Sequence, residues 1–105
     1  MEPKEYCKPF DTVSICFSKG LGCPIGSVLV GTEKDIRFAR DMRKMLGGGM
    51  RQAGIFASAM MISLEDWQEK LKEDNENCKF MANHLNSEIN GVICDTTRVH
   101  TNMLT

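Results

Sequence analysis

Ser18-Lys-Gly-Leu-Gly-Cys-Pro-Ile-Gly26 places three glycines, a proline and a lysine within nine residues. Gly and Pro at that density specify a chain reversal, because one supplies left-handed backbone and the other pre-sets φ. The runs on either side read as strands. Thr12-Val-Ser-Ile-Cys-Phe17 is rich in β-formers and apolar at Val13, Ile15 and Phe17, and Ser27-Val-Leu-Val-Gly31 resumes the same texture. The stretch therefore predicts a strand pair with Lys19 in its tight connection.

Residues 1–11, with two prolines, are a lead-in to the first strand. After the second, Thr32 stands where a helix N-cap belongs, with Asp35 three residues on and Ile36, Ala39, Met42 and Leu46 near one face. Gly47-Gly-Gly49 stops that helix. Another is expected from near Met50 through Ala53, Ile55, Phe56, Ala59, Met60 and Ile62, apolar nearly all round and hence buried on several sides. From about Leu64, the pattern Trp67, Leu71, Asp74, Cys78, Ala82, Leu85, Ile89 predicts a long amphipathic helix. Glu65 and Asp66 give it an acidic first turn, and Asp74 is the polar interruption in its apolar stripe. Asn90-Gly91 ends it, and Val92-Ile-Cys94 and Val99 to Leu104 read as short strands. These pieces do not close a comfortable core, so a fragment of a larger α/β fold is expected.

Composition narrows the function classes. The 105 residues, 11.8 kDa, carry 13 Lys and Arg against 14 Asp and Glu, a net charge of -1, which asks for neither nucleic acid nor an anionic membrane. With 42% apolar and 26% charged residues, the chain suits one globular core, and a large multidomain enzyme is not expected of this chain by itself. Ala53 to Leu64 falls well short of the roughly 20 apolar residues of a membrane span, and Met1-Glu2-Pro3-Lys4 leads into no signal-peptide core. A soluble, cytoplasmic protein is expected. Cys7, Cys16, Cys23, Cys78 and Cys94 follow no CxxC pattern and are odd in number, which fits reduced thiols. His84 and His100 lack partners at metal-ligand spacing and read as surface or packing residues.

Three features could carry chemistry. A lysine amine attacks carbonyls once its ammonium is destabilised by desolvation or nearby positive charge, which a turn packed between strands can do, with Ser18 adding a hydroxyl. The plain alternative is a loop lysine, and the order of a Walker loop is absent. Gly47-Gly-Gly-Met-Arg-Gln52 runs flexible backbone into an expected helix start bearing Arg51, a combination suited to phosphate. Lys34, Arg37, Arg40, Arg43, Lys44 and Arg51 meet only Asp35 and Asp41 in that stretch, a local +4, although a solvated helix face with a glycine cap has the same pattern. Glu65, Asp66, Glu69, Glu73, Asp74 and Glu76 against Lys70 and Lys72 make a local -4, which reads as a solvated flank or as a patch that pairs subunits. Nothing buries these acids for acid–base catalysis. Met60 and Met61 read as core filling.

Taken together, Asp11-Thr12, the Ser18 to Ser27 turn and Arg43-Lys-Met-Leu-Gly-Gly-Gly-Met-Arg-Gln-Ala-Gly54 resemble the threonine aldolases of the aromatic amino acid β-eliminating lyase/threonine aldolase family. Thr101-Asn-Met-Leu104 looks like the first strand of that family's small C-terminal domain. The resemblance covers essentially this whole chain but only the middle of the family protein. It implies an α/β chain that is a fragment of the aspartate-aminotransferase-like, pyridoxal-phosphate-dependent fold. Residues 1–63 would be the C-terminal part of the large domain, and residues 64–105 the connecting helix and the start of the small one.

By the same resemblance the cofactor is pyridoxal 5'-phosphate, Lys19 binds it covalently, and Lys44 and Arg51 reach the cofactor phosphate of a neighbouring subunit. The implied reaction cleaves L-threonine or L-allo-threonine to glycine and acetaldehyde in a homo-oligomer. The family's phosphate-cradling loop, ring-stacking His, ring-pairing Asp and carboxylate-binding Arg match nothing here, and none of those roles passes to His84, His100 or Arg98. The isolated chain is therefore expected to be inactive. The rival expectations are a β-eliminating lyase of the same fold and a non-catalytic fragment that docks on full-length subunits.

Overall fold

The computed structural model describes residues 2–91 and 94–104. Strand β1 (Thr12–Cys16) pairs antiparallel with β2 (Ser27–Gly31), in a register running from Thr12 opposite Gly31 to Cys16 opposite Ser27. Val13 faces Val30 and Ile15 faces Val28, pairs of β-branched residues that favour a pleated surface. The Lys19 turn is thus the connection of a β-hairpin. Contacts divide the chain into two units, Met1–Ile62 and Ser63–Thr105.

The first unit opens with a helix the lead-in does not announce, α1 (Pro3–Cys7), whose sequence signal is a proline at the first helical positions with Glu5 in the first turn. Helix α2 (Glu33–Met45) begins at Thr32, whose Oγ1 accepts the Asp35 N–H at 3.3 Å. It ends in a Schellman closure: Gly47 N–H donates to the Lys44 carbonyl at 3.2 Å and Gly48 N–H to that of Arg43 at 2.8 Å. Gly47 at φ +79 provides the left-handed residue this closure needs. Ile36, Ala39 and Met42 are half-buried, but Leu46 lies past the last turn and is 85% exposed.

Helix α3 (Gly54–Ser63) corrects two expectations. It starts at Gly54 rather than near Met50, leaving Met50 to Ala53 as irregular and turn backbone, so Arg51 precedes the helix instead of standing in its first turn. Nor is it buried on several sides. Ile55 is 71% exposed and Ile62 64%, while Phe56, Ala59 and Met60 are half-buried and Ser63 is buried. Composition shows that such a helix gains from cover but not which of its faces is covered.

The second unit is built on α4 (Trp67–Glu88). Trp67, Leu71, Asn75, Cys78, Ala82 and Leu85 form its less exposed stripe, with Cys78 and Ala82 buried. Asn75, not Asp74, lies in the stripe: the 3.6-residue turn carries Asp74 out to solvent. The acidic start is also shifted, with Asp66 at the N-cap making no side-chain cap and Glu69 as the acid of the first turn. Of the two expected C-terminal strands, Val92 and Ile93 lie outside the described residues. Cys94 is held by a side chain instead of a ladder, its N–H donating to Asn86 Oδ1 at 2.6 Å and its carbonyl accepting from Asn86 Nδ2 at 2.8 Å. Val99 to Leu104 is bent and irregular. Just before it, Asp95 Oδ1 accepts the Thr97 N–H at 3.0 Å, a turn stabilised by its own side chain. The described chain is thus a mixture of helix and a two-stranded sheet, consistent with an α/β class.

Candidate functional site

The hairpin connection is closed by backbone hydrogen bonds at three levels. Phe17 N–H donates to the Gly26 carbonyl at 3.0 Å, Cys23 N–H to Phe17 at 2.9 Å and Gly22 N–H to Lys19 at 2.8 Å. Phe17, 5% exposed, and Cys23, 7% exposed, anchor it from inside. Lys19 therefore occupies the first position of a four-residue turn that ends at Gly22, whose φ of +71 redirects the chain toward Cys23. Its side chain is exposed and, among the described residues, has no hydrogen bond or ion pair.

Next to Lys19 lies a thiol that sequence spacing did not single out. Cys16 Sγ and Ser18 Oγ share a hydrogen bond at 3.4 Å. The Ser18 side chain holds the thiol below its ordinary pKa, helped by the Ser18 backbone, the Ser27 hydroxyl and the charge of Lys19, while desolvation opposes them. The register explains the cluster, since Cys16 and Ser27 are partners at the end of the ladder. The signal was present as two serines flanking a strand end but needed the pairing to become legible.

Lys44 lies in the last turn of α2 and Arg51 between the Gly47 to Gly49 segment and α3. Both are exposed and, among the described residues, neither side chain has an ion-pair or hydrogen-bond partner. A β-carbon at Gly47 or Gly49 would meet nothing within 4 Å, so the backbone beside Arg51 is open to approach. No described hydrogen bond or ion pair links either residue to Lys19. The donor set suits pyridoxal phosphate: an unpaired amine for its carbonyl, and two unpaired cations with open glycine backbone for its phosphate.

The remaining features lie apart from these residues. A cleft of about 390 Å³ between β2 and α2 is lined by Ser27, Val28, Leu29, Ile36, Ala39, Arg40 and Arg43, and so meets the Cys16 cluster at Ser27 but includes none of Lys19, Lys44 and Arg51. The acidic flank of α4 is exposed and partly neutralised on its own helix by Lys70 to Asp66 at 2.7 Å and Lys72 to Glu76 at 3.8 Å. His84 stacks on Phe80 with centroids 6.1 Å apart. Met61, expected in a core, is 69% exposed. Among the described residues no helix is long and apolar enough to cross a membrane.

Comparison with known proteins concerns the chain as a whole. The profile of the family described as beta-eliminating lyase matches residues 1–105. The chain is 42% identical over 97 residues to low-specificity L-threonine aldolase 1 of Arabidopsis thaliana, covering 92% of this chain and 27% of that protein. It is 45% identical over 103 residues to the low specificity L-threonine aldolase of Escherichia coli (strain K12), covering 98% and 30%. To the low-specificity L-threonine aldolase of Candida albicans it is 62% identical over 64 residues, covering 61% and 17%. The chain thus spans less than a third of the length of each of these relatives.

Proposed function

The chain belongs to the beta-eliminating lyase family, and from that membership we propose that it is the lysine-bearing segment of a pyridoxal-phosphate-dependent aldolase that cleaves L-threonine or L-allo-threonine to glycine and acetaldehyde. The observation that carries the reading is the unpaired Lys19 amine at the first position of a hydrogen-bonded hairpin turn. The similarity to L-threonine aldolases over 92% to 98% of the chain supports it.

Lys19 would hold the cofactor through its amine, and Lys44 and Arg51 would hold the phosphate, from a second subunit as the family resemblance implies. Bound there, pyridoxal phosphate supplies an electron sink for the charge left at Cα when the Cα–Cβ bond breaks. Lys19 Nζ, exposed at the turn, would also be placed to hold or carry a proton there. Lys44 and Arg51 contribute charge that fixes the phosphate without entering the chemistry.

A chimaera carrying these 105 residues in place of the matched stretch of the Escherichia coli relative tests the assignment. It should form glycine and acetaldehyde from threonine, and Lys19→Ala should abolish this. Pyruvate and ammonia from a substrate with a leaving group at Cβ, without acetaldehyde from threonine, would replace the aldolase by a β-eliminating lyase.

On its own, the 105-residue chain should be inactive. Among the described residues only Phe17, Cys23, Ser63, Cys78 and Ala82 are buried. Each Å² of apolar surface left wet forgoes about 25 cal/mol, against roughly 1–2 kcal/mol of backbone entropy per ordered residue. A cooperative melt of the isolated chain, together with saturable glycine formation, would contradict that expectation.

A further inference from the structure

Helix α3 touches the lysine hairpin at one place that leaves no slack. A β-carbon on Gly26 would collide with Met60 Cε and lie 3.8 Å from Met60 Sδ, so the thioether end occupies the space a side chain at Gly26 would need. Gly26 has φ +117, backbone that side-chain-bearing residues rarely adopt. Its carbonyl accepts the Phe17 N–H at the root of the Lys19 connection. The residue that closes the hairpin is thus fixed by a hydrogen bond and covered by a methionine from the helix that follows Arg51.

The rest of α3 makes this contact consequential. Ile55, Met61 and Ile62 are exposed, whereas Phe56, Ala59 and Met60 are half-buried on one face at helical spacing. An unbranched thioether with three rotatable bonds adapts to an irregular gap of this kind.

We propose that Met60 is a positioning residue: seated on Gly26, it holds the hairpin turn that carries Lys19 in place against α3. The inference rests on the reading of Lys19 as the cofactor-binding lysine. It assigns Met60 no contact with cofactor or substrate; its effect passes through Gly26 to the turn.

The test uses the full 105-residue sequence carried in the chimaera, as apoprotein, with Met60→Ala, Met60→Leu, Gly26→Ala and the Met60→Ala/Gly26→Ala pair. Pyridoxal phosphate at sub-saturating concentration is the probe. The readouts are its dissociation constant, the fraction fixed on Lys19 by borohydride as mapped by peptide mass, and the denaturation midpoint. Met60→Ala should weaken retention about tenfold and spread label to other lysines, and Met60→Leu should recover most of the loss. Gly26→Ala should cost clearly less in the Met60→Ala background than alone, because the new β-carbon enters vacated space.

Additive losses from the two substitutions would overturn the proposal. So would a Met60→Ala protein that melts lower yet labels Lys19 as tightly and selectively as the parent. If the parent itself fixes the cofactor on another lysine, the reading of Lys19 falls, and the role of Met60 falls with it.

Discussion

The Phe17 amide donates to the Gly26 carbonyl at 3.0 Å, one step beyond the Cys16 and Ser27 pair that ends the strand ladder. The connection bearing Lys19 is therefore an extension of the hairpin and inherits the strands' geometry. An amine that must meet one carbonyl needs that placement more than it needs length or freedom.

The cap of α2 is the most direct local test of the fold. Thr32 Oγ1 accepts from the Asp35 N–H and donates to Asp35 Oδ2 at 2.5 Å. Thr32→Ala should cost about 1 kcal/mol and Thr32→Ser a few tenths at most, read from urea denaturation of the chimaera. Equal losses for both substitutions would show that the methyl, not the hydroxyl, matters there.

Much of this architecture was legible from local pattern. The hairpin followed from Gly and Pro between two β-rich runs, and α2 from Thr32 and the glycine stop. Legibility failed where structure depends on distant partners. Val99 to Leu104 has β-like composition, but a strand exists only where another pairs with it. The exposure of Ile55 and Ile62 likewise was not readable, because an apolar composition does not say which faces of a helix are covered. Asn75 displaced Asp74 because a three-four alternation drifts against the true helical turn. For the candidate site, the turn that holds Lys19 was readable, whereas the cluster of Cys16, Ser18 and Ser27 required the register. The sequence did not show that Arg51 precedes its helix.

The thiol beside Lys19 should betray its surroundings by its pH dependence. The Ser18 side chain foremost lowers the pKa of Cys16, so its thiolate forms at lower pH than an unperturbed thiol's. In the apo chimaera, iodoacetamide alkylation at Cys16 should reach half its limiting rate at lower pH than alkylation of a free cysteine model peptide, as followed by peptide mass. Ser18→Ala should move that midpoint upward. A Cys16 midpoint at or above that of the model peptide would remove the basis for the effect.

Arg51 should act on cofactor retention and little on chemistry. A charge-assisted contact to phosphate is worth about 1.5–3 kcal/mol, so Arg51→Ala should weaken pyridoxal phosphate binding by roughly ten- to a hundredfold. Turnover at saturating cofactor should stay within a few-fold of the parent. Lys44→Ala should show the same pattern more weakly, since an ammonium binds phosphate as a point charge without a second aligned donor. Unchanged affinity with a large loss of turnover would contradict both assignments.

The central claim is that Lys19 holds the cofactor. Incubating the chimaera with pyridoxal phosphate, reducing with borohydride and mapping the peptides by mass reads it directly. The account predicts stoichiometric label on Lys19, lost in Lys19→Ala without transfer elsewhere. Label on Lys34, Lys44 or another lysine, with Lys19 unmodified, would contradict it.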